Sequence, residues 1–342
     1  MYYCYLIIYH LHKNKMEAQA AYLTLEEMAS AKTEIMKSGL VGETPLLSHM
    51  QYLFDDVAAS GVDLYLKLES MQNTGSFKIR GVVNQISKII QRNRETKLIT
   101  MSAGNYGRAF AYFLHQEGLT GLCIMPDSAQ QSKVEIIKGY GITVEQVPVS
   151  ELQPAVDKYV REQGFHFCHS FDDRDLIAGY GSIGMEILDK VPDLDILVIC
   201  CGGGGLSSGI SAAVRAKLGM ACRIYTVEPE GSPTMYESFK SNKAVSIPTV
   251  KSVASGLSPP YAGKMTFDYC RKFLDKVILV TDAEILDTMK KMFHAGLVVE
   301  PSGCAAMAAL LSNKIPDVTD KKVAIIVSGG NISVDELKDL MP

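Results

Sequence analysis

Apolar positions along this chain switch repeatedly between two periods. From about residue 60, residues 64–68 alternate as a strand does. Ile79, Val82, Val83, Ile86, Ile89 and Ile90 then recur at spacings of three and four, which marks one face of a helix. The pattern predicts further strands over 97–102, 121–126, 143–148 and 165–169, with helices over 106–116, 130–139 and 152–162. Residues 196–201 form an unbroken apolar run, which fits a strand covered on both faces. Segments 223–228, 277–281 and 323–328 read the same way, with helices over 207–218, 283–294 and 303–311. Residues 242–264 carry Pro248, Pro259 and Pro260 and read as loop. Strands alternating with helices imply an α/β fold with mostly parallel sheets. Ligands of such sheets sit at the carboxyl ends of the strands, so the chemistry is expected in the segments that follow them.

Composition narrows the class. The 342 residues suffice for one large or two ordinary domains, and 47% hydrophobic residues allow a real core, which excludes a disordered chain. A net charge of −4 argues against binding nucleic acid by neutralising phosphates. The cysteines at 4, 123, 168, 200, 201, 222, 270 and 304 form no C-x-x-C pair and lie in largely apolar contexts. They predict reduced, buried thiols in a cytoplasmic protein and argue against a zinc ribbon. No apolar run is long enough to span a membrane. Residues 1–11 are aromatic and aliphatic, and Lys13 and Lys15 follow. That order is the reverse of a secretory signal, so residues 1–30 are expected to be an extension without fixed structure, with Met16 an alternative start. Twelve residues follow Gly330, so a C-terminal regulatory domain is not expected.

Five segments that follow strands or open helices carry candidate chemistry. Thr74-Gly75-Ser76-Phe77-Lys78-Ile79-Arg80-Gly81 follows the first strand and opens a helix. The positive end of the helix dipole and some desolvation lower a lysine pKa, as a Schiff-base or proton-abstracting lysine requires. The same spacing is also that of an ordinary surface lysine, which is far commoner. Ser102-Ala103-Gly104-Asn105-Tyr106-Gly107 offers small residues and backbone N–H groups that could bind a carboxylate, or simply a capped βα turn. Gly202-Gly203-Gly204-Gly205-Leu206 lies between the apolar 196–201 strand and a helix. A plain turn does not need four glycines, whereas a nest of N–H groups cradling a phosphate does. Neither P-loop nor dinucleotide spacing is present. Ser328-Gly329-Gly330-Asn331 places a hydroxyl after the last strand, where it could meet a heterocycle nitrogen or merely close the fold. Glu300-Pro301-Ser302-Gly303 reads equally as a helix start.

In this order the motifs resemble the fold-type II pyridoxal-phosphate enzymes, and among them the serine/threonine dehydratase and serine racemase family. The resemblance runs from Gly42-Glu43-Thr44-Pro45-Leu46 to the C-terminus. It implies two open, mostly parallel twisted sheets with helices on both faces, as in tryptophan synthase beta-like chains. A large cofactor-binding domain would comprise 31–96 and 172–342, and a small domain 97–171. It further implies that Lys78 holds pyridoxal 5′-phosphate covalently and takes the substrate Cα proton. Phe77 would lie beside the pyridine ring, and Gly202, Gly203, Gly204, Gly205 and Leu206 would hold the phosphate. Asn105 would bind the ring hydroxyl, Ser102 the substrate carboxylate, and Ser328 would face the ring nitrogen. Glu300 would support the cofactor side. Glu228, with the loop of Ser232, would hold a monovalent or divalent cation, a single matching carboxylate favouring the monovalent ion. By the same resemblance the partner would be a small amino acid and the assembly a homodimer.

A serine cannot keep a pyridine nitrogen protonated as an aspartate could. The ring is then a weaker electron sink, which favours elimination of a β-hydroxyl as the proton leaves. The nested phosphate is an acid for that hydroxyl, and the products would be a 2-oxo acid and ammonia. In the racemases a serine stands at the position of Ala103 and serves as the second acid/base. Ala103 carries no proton, and His169-Ser170-Phe171-Asp172-Asp173 looks like the dehydratase pattern. The expected activity is therefore a serine/threonine ammonia-lyase, with a serine or aspartate racemase as the alternative. Phe171 and Ser255-Gly256-Leu257 could shape the pocket toward a larger β-hydroxy amino acid.

Overall fold

The computed structural model describes residues 22–341. Residues 1–21, which include Cys4, Met16 and most of the expected extension, lie outside them. Residues 22–30, counted in the expected extension, are folded instead. Thr24 and Glu27 form a reciprocal capping box at the start of the Leu25–Lys37 helix. Leu23, Met28 and Ala31 are buried against Ile177 and Ala178. Arg174 pairs with Glu27 at 2.8 Å, so residues 22–30 belong to the folded body.

The strands are β1 (Leu46–Leu47), β2 (Asp63–Leu68), β3 (Leu98–Met101), β4 (Gly121–Pro126), β5 (Thr143–Val147), β6 (His166–Phe167), β7 (Ile196–Cys200), β8 (Arg223–Pro229), β9 (Lys276–Val280) and β10 (Lys322–Val327). They form two sheets. One has six strands in the order β1-β2-β10-β7-β8-β9, the other four in the order β5-β4-β3-β6. Every pairing is parallel except that of β1 with β2. The smaller sheet draws only on residues 98–167. Both are covered by helices, as parallel sheets must be. Residues 196–200 and 323–327 are buried throughout, which is why those strands read as continuous apolar stretches.

Strand order places the site. β10 lies between β2 and β7, with Val327 level with Leu68, so the segments that follow these three strands emerge side by side. They are the Lys78 loop, the Ser328 turn and the glycine loop. The Ser102 segment follows β3 of the other sheet and faces them across the gap.

The helix Arg174–Lys190 is the main element the apolar periods did not disclose. Twelve of its seventeen residues are buried, and Gly179, Gly181 and Gly184 interrupt the pattern. Cβ atoms on these glycines would meet Arg80 O at 2.5 Å, Met28 Sδ at 2.5 Å and Ile210 O at 3.0 Å. A helix packed on all sides has no polar face to reveal its period. In β2 the alternation is likewise not between wet and dry faces, because Lys67 is only 1% exposed. It donates to Glu186 at 2.6 Å, within a closed cluster with Arg80 and Glu69. Among the described residues, no helix is long and apolar enough to cross a membrane, and the cysteines are unpaired and buried.

Candidate active site

Lys78 opens the helix Lys78–Arg92, whose first turn is pinned from behind. Gly75 has φ +73°, and a Cβ there would collide with the amide of Asn331. Phe77 N–H donates to Ser328 O at 3.1 Å and Gly330 N–H to Gly75 O at 2.9 Å. The lysine loop and the serine turn, 250 residues apart, are thus a single backbone unit. Two residues along the helix, the Arg80 guanidinium binds Glu69 at 2.8 and 2.9 Å and Glu186 at 2.6 and 2.8 Å. These bidentate pairs fix the turn to β2 and to the Arg174–Lys190 helix.

The Lys78 amine points into a cavity of about 1040 Å³ between the two sheets. It donates to Ser170 O at 2.9 Å and sits 5.0 Å from the centre of the Phe77 ring, with Tyr106 and Tyr180 each 5.8 Å away. Among the described residues no carboxylate pairs with it, and burial pushes its pKa down to about 8. Phe77 is held edge-on by Tyr180 at 4.9 Å.

The glycine loop lines the same cavity. Gly204 adopts φ +91° and precedes the helix Gly205–Leu218. The first ladder bond runs from Ser208 N–H to Gly204 O, so the N–H groups of Gly205, Leu206 and Ser207 have no carbonyl a turn earlier. Each glycine is also required by its neighbours. A Cβ on Gly203 would lie 2.2 Å from the Phe171 ring, on Gly205 2.8 Å from Phe171 O, and on Gly202 3.1 Å from Gly256 O. Thr266 Oγ1 donates to Gly203 O at 2.7 Å, and Asp172 caps the Lys264–Phe273 helix that carries Thr266. His169 accepts the N–H groups of Phe171 and Asp172 on Nδ1, at 3.2 and 2.9 Å.

Ser102, Asn105, Glu300 and Ser328 complete the lining. The Ser102 hydroxyl accepts from Gly104 and Gly107 N–H, which makes it a cap of the Asn105–Gln116 helix. Its proton alone remains for a carboxylate. Asn105 donates to Glu300 at 2.6 Å and accepts from Asn331 at 2.7 Å. Burial raises the Glu300 carboxyl to about 7. Ser328 is buried, and its oxygen accepts from the Cys200 thiol at 3.2 Å.

Glu228 lies apart from this lining. Its two oxygens accept from Met235 and Tyr236 N–H at 2.8 Å each, and burial drives its pKa upward. The Ser232 hydroxyl on the same loop is buried without a partner. Among the described residues, no three His, Cys, Asp or Glu side chains come together as a metal cluster.

Arg80, Ser170, Thr266 and Cys200 matter here and were not singled out from the sequence. Arg80 and Ser170 lie inside the 74–81 and 169–173 segments, but all four act through a carbonyl or a long-range contact that leaves no local signal.

The residues present fit pyridoxal phosphate. A buried amine of lowered pKa shares one cavity with the glycine loop, whose N–H groups open a helix, and with the Phe77 ring and the Ser328 hydroxyl. Lys78, Phe77, the glycine loop and Ser328 would hold it.

Comparison with known proteins agrees. The family described as "Pyridoxal-phosphate dependent enzyme" matches residues 37–329. The L-threonine ammonia-lyase of Thermotoga maritima is 33% identical over 92% of this chain and 77% of its own length. The serine racemase of Schizosaccharomyces pombe is 32% identical over 91% of this chain and 95% of its own. The structure of maize serine racemase superposes with a TM-score of 0.83 at 30% identity, covering 93% of this chain and 98% of that one.

Proposed function

The chain belongs to the pyridoxal-phosphate dependent enzymes, and we propose that it is an L-serine/L-threonine ammonia-lyase. The observation that carries this reading is the Lys78 amine. It is enclosed and of lowered pKa, and it shares one cavity with the glycine nest and with an Ala103 that carries no proton. Bound pyridoxal phosphate supplies the electron sink for the pair left when the Cα proton departs. The chain's residues do the rest. Lys78 removes the proton, and the Ser170 carbonyl orients the amine. The glycine loop N–H groups hold the anion, and Phe171 keeps that loop in register. Ser102 and its neighbouring N–H groups orient the substrate carboxylate. The wall of Phe77 excludes water. Loss of the β-hydroxyl as water, followed by hydrolysis of the C–N bond, converts serine or threonine to a 2-oxo acid and ammonia.

Racemisation requires a proton carrier on the face away from Lys78. Ala103 stands at the position where the racemase pattern has a serine, which favours the lyase although racemases are among the relatives. We read the Glu228 and Ser232 loop as the place of a monovalent cation; the buried, unpartnered Ser232 hydroxyl supports that reading. A small amino-acid substrate, a homodimer and a cytoplasmic location complete the proposal.

Cofactor-loaded protein is to be offered L-serine, L-threonine and larger β-hydroxy amino acids, with ammonia, 2-oxo acid and D-isomer measured. Ammonia and 2-oxo acid release, lost in Lys78→Ala, is the expected result. Full cofactor loading with no turnover, or D-isomer as the main product, would overturn the lyase reading.

A further inference from the structure

The serine after the last strand has a partner that no motif pointed to. Cys200 ends β7 and Ser328 follows β10, which is its neighbour in the sheet. The Cys200 thiol donates to Ser328 Oγ at 3.2 Å, and both residues are almost fully buried, at 2% and 3% exposure. Both also line the cavity that Lys78 enters. Burial pushes the thiol up to about 12, so it keeps its proton and remains a donor through the neutral range.

A hydroxyl has one proton to give and two lone pairs to receive with. With one lone pair occupied by the thiol, the Ser328 proton is directed away from sulfur and remains available to the cavity. An unprotonated heterocycle nitrogen would accept that proton, and every polar hydrogen of the pair would be engaged. A protonated nitrogen would instead donate to the same oxygen. Ser328 would then receive two donors while its own proton had no acceptor, a buried donor left unmade. We propose that Cys200 is a positioning residue whose thiol sets the Ser328 hydroxyl as a donor and so holds the cofactor's ring nitrogen unprotonated. This rests on the reading of the cavity as a pyridoxal-phosphate site. It makes the choice between elimination and longer-lived carbanion chemistry depend on a residue outside the motifs.

The test is ¹⁵N NMR of holoenzyme loaded with pyridoxal phosphate labelled at the ring nitrogen, recorded across neutral pH. Wild type is expected to show an unprotonated nitrogen throughout. Cys200→Val and Cys200→Ala remove the donor with and without added bulk, and both are expected to raise the apparent ring-nitrogen pKa by about one pH unit or more. Cys200→Ser keeps a donor and is expected to restore the wild-type signal. In a Ser328→Ala background, Cys200→Val is expected to change nothing further. A ring-nitrogen signal that is the same in wild type, Cys200→Val and Cys200→Ala overturns the inference. A shift in Cys200→Val that persists undiminished without the Ser328 hydroxyl also overturns it. Wild-type protein that takes up no cofactor would strike down the proposed function first, and this inference with it.

Discussion

The amine of Lys78 and the carbonyl of Ser170 meet at 2.9 Å although 92 residues separate them. Lys78 opens the helix that comes after β2 of the six-stranded sheet, and Ser170 follows β6 of the smaller one. The contact joins the two sheets at the point where the chemistry is expected. Because burial lowers the amine to about 8, its neutral fraction climbs steeply just above neutrality. Only the neutral amine attacks an aldehyde. The rate at which apo-protein captures pyridoxal phosphate should therefore rise through about pH 8 and level off above it. Stopped-flow absorbance would check this, and a midpoint near 10 would contradict the enclosed amine.

Gly203 and Phe171 are a second such pair. A Cβ on Gly203 would lie inside the ring's contact distance, and overpacking of this kind costs about 1–3 kcal/mol. Gly203→Ala should weaken cofactor binding by roughly tenfold or more, since the loop must move to admit the methyl. Adding Phe171→Leu should recover most of the affinity. Equilibrium titration of each variant with cofactor decides it.

His169 links pH to the same loop. Its Nδ1 accepts two backbone N–H groups and Nε2 lies 3.2 Å from the Tyr261 hydroxyl, an arrangement that only the neutral ring with its proton on Nε2 can satisfy. Burial lowers its pKa below the ordinary 6.5; the neighbouring Asp172 opposes this and Lys78 adds to it. Between the folded value and 6.5 the unfolded chain binds more protons, so stability rises with pH across that window. The neutral ring's contribution is complete above about 6.5 and is lost as pH falls through the folded value. His169→Asn offers an oxygen acceptor without a titrating group. Its denaturation midpoint should change less with pH below 6.5 than that of wild type.

Arg80 holds two buried carboxylates at once, with Lys67 completing a neutral cluster. Arg80→Met would leave Glu69 and Glu186 sharing one lysine in the interior. Removal of one partner from such a buried set costs about 3–5 kcal/mol. A urea midpoint lowered to match, with a smaller loss in Arg80→Lys, is the expected outcome. An unchanged midpoint would mean that the cluster contributes nothing to the fold.

Much of the site was legible because it is local. A glycine run after an apolar strand, a lysine at the head of an amphipathic helix and a serine after the last strand are each written within a few consecutive residues. The strand bounds were legible for the same reason, since 121–126 and 196–200 carry their burial pattern in their own side chains. The Arg174–Lys190 helix was not, because a helix surrounded by protein has no wet face. That residues 22–30 belong to the folded body was not either, since they are held by Ile177, Arg174 and Tyr269, far along the chain.

The sequence by itself determined the fold class, the succession of strands from β2 to β10, and the residue types at the ends of the strands. Period and local backbone chemistry act over a few residues and need no partner. Only the tertiary structure decided that Lys78 is met by Ser170, that Phe171 makes Gly203 obligatory, and that the Ser328 hydroxyl is already bound by Cys200. Those contacts exist because β2, β10 and β7 lie side by side with the smaller sheet across the gap, and strand order is a property of the packed chain as a whole.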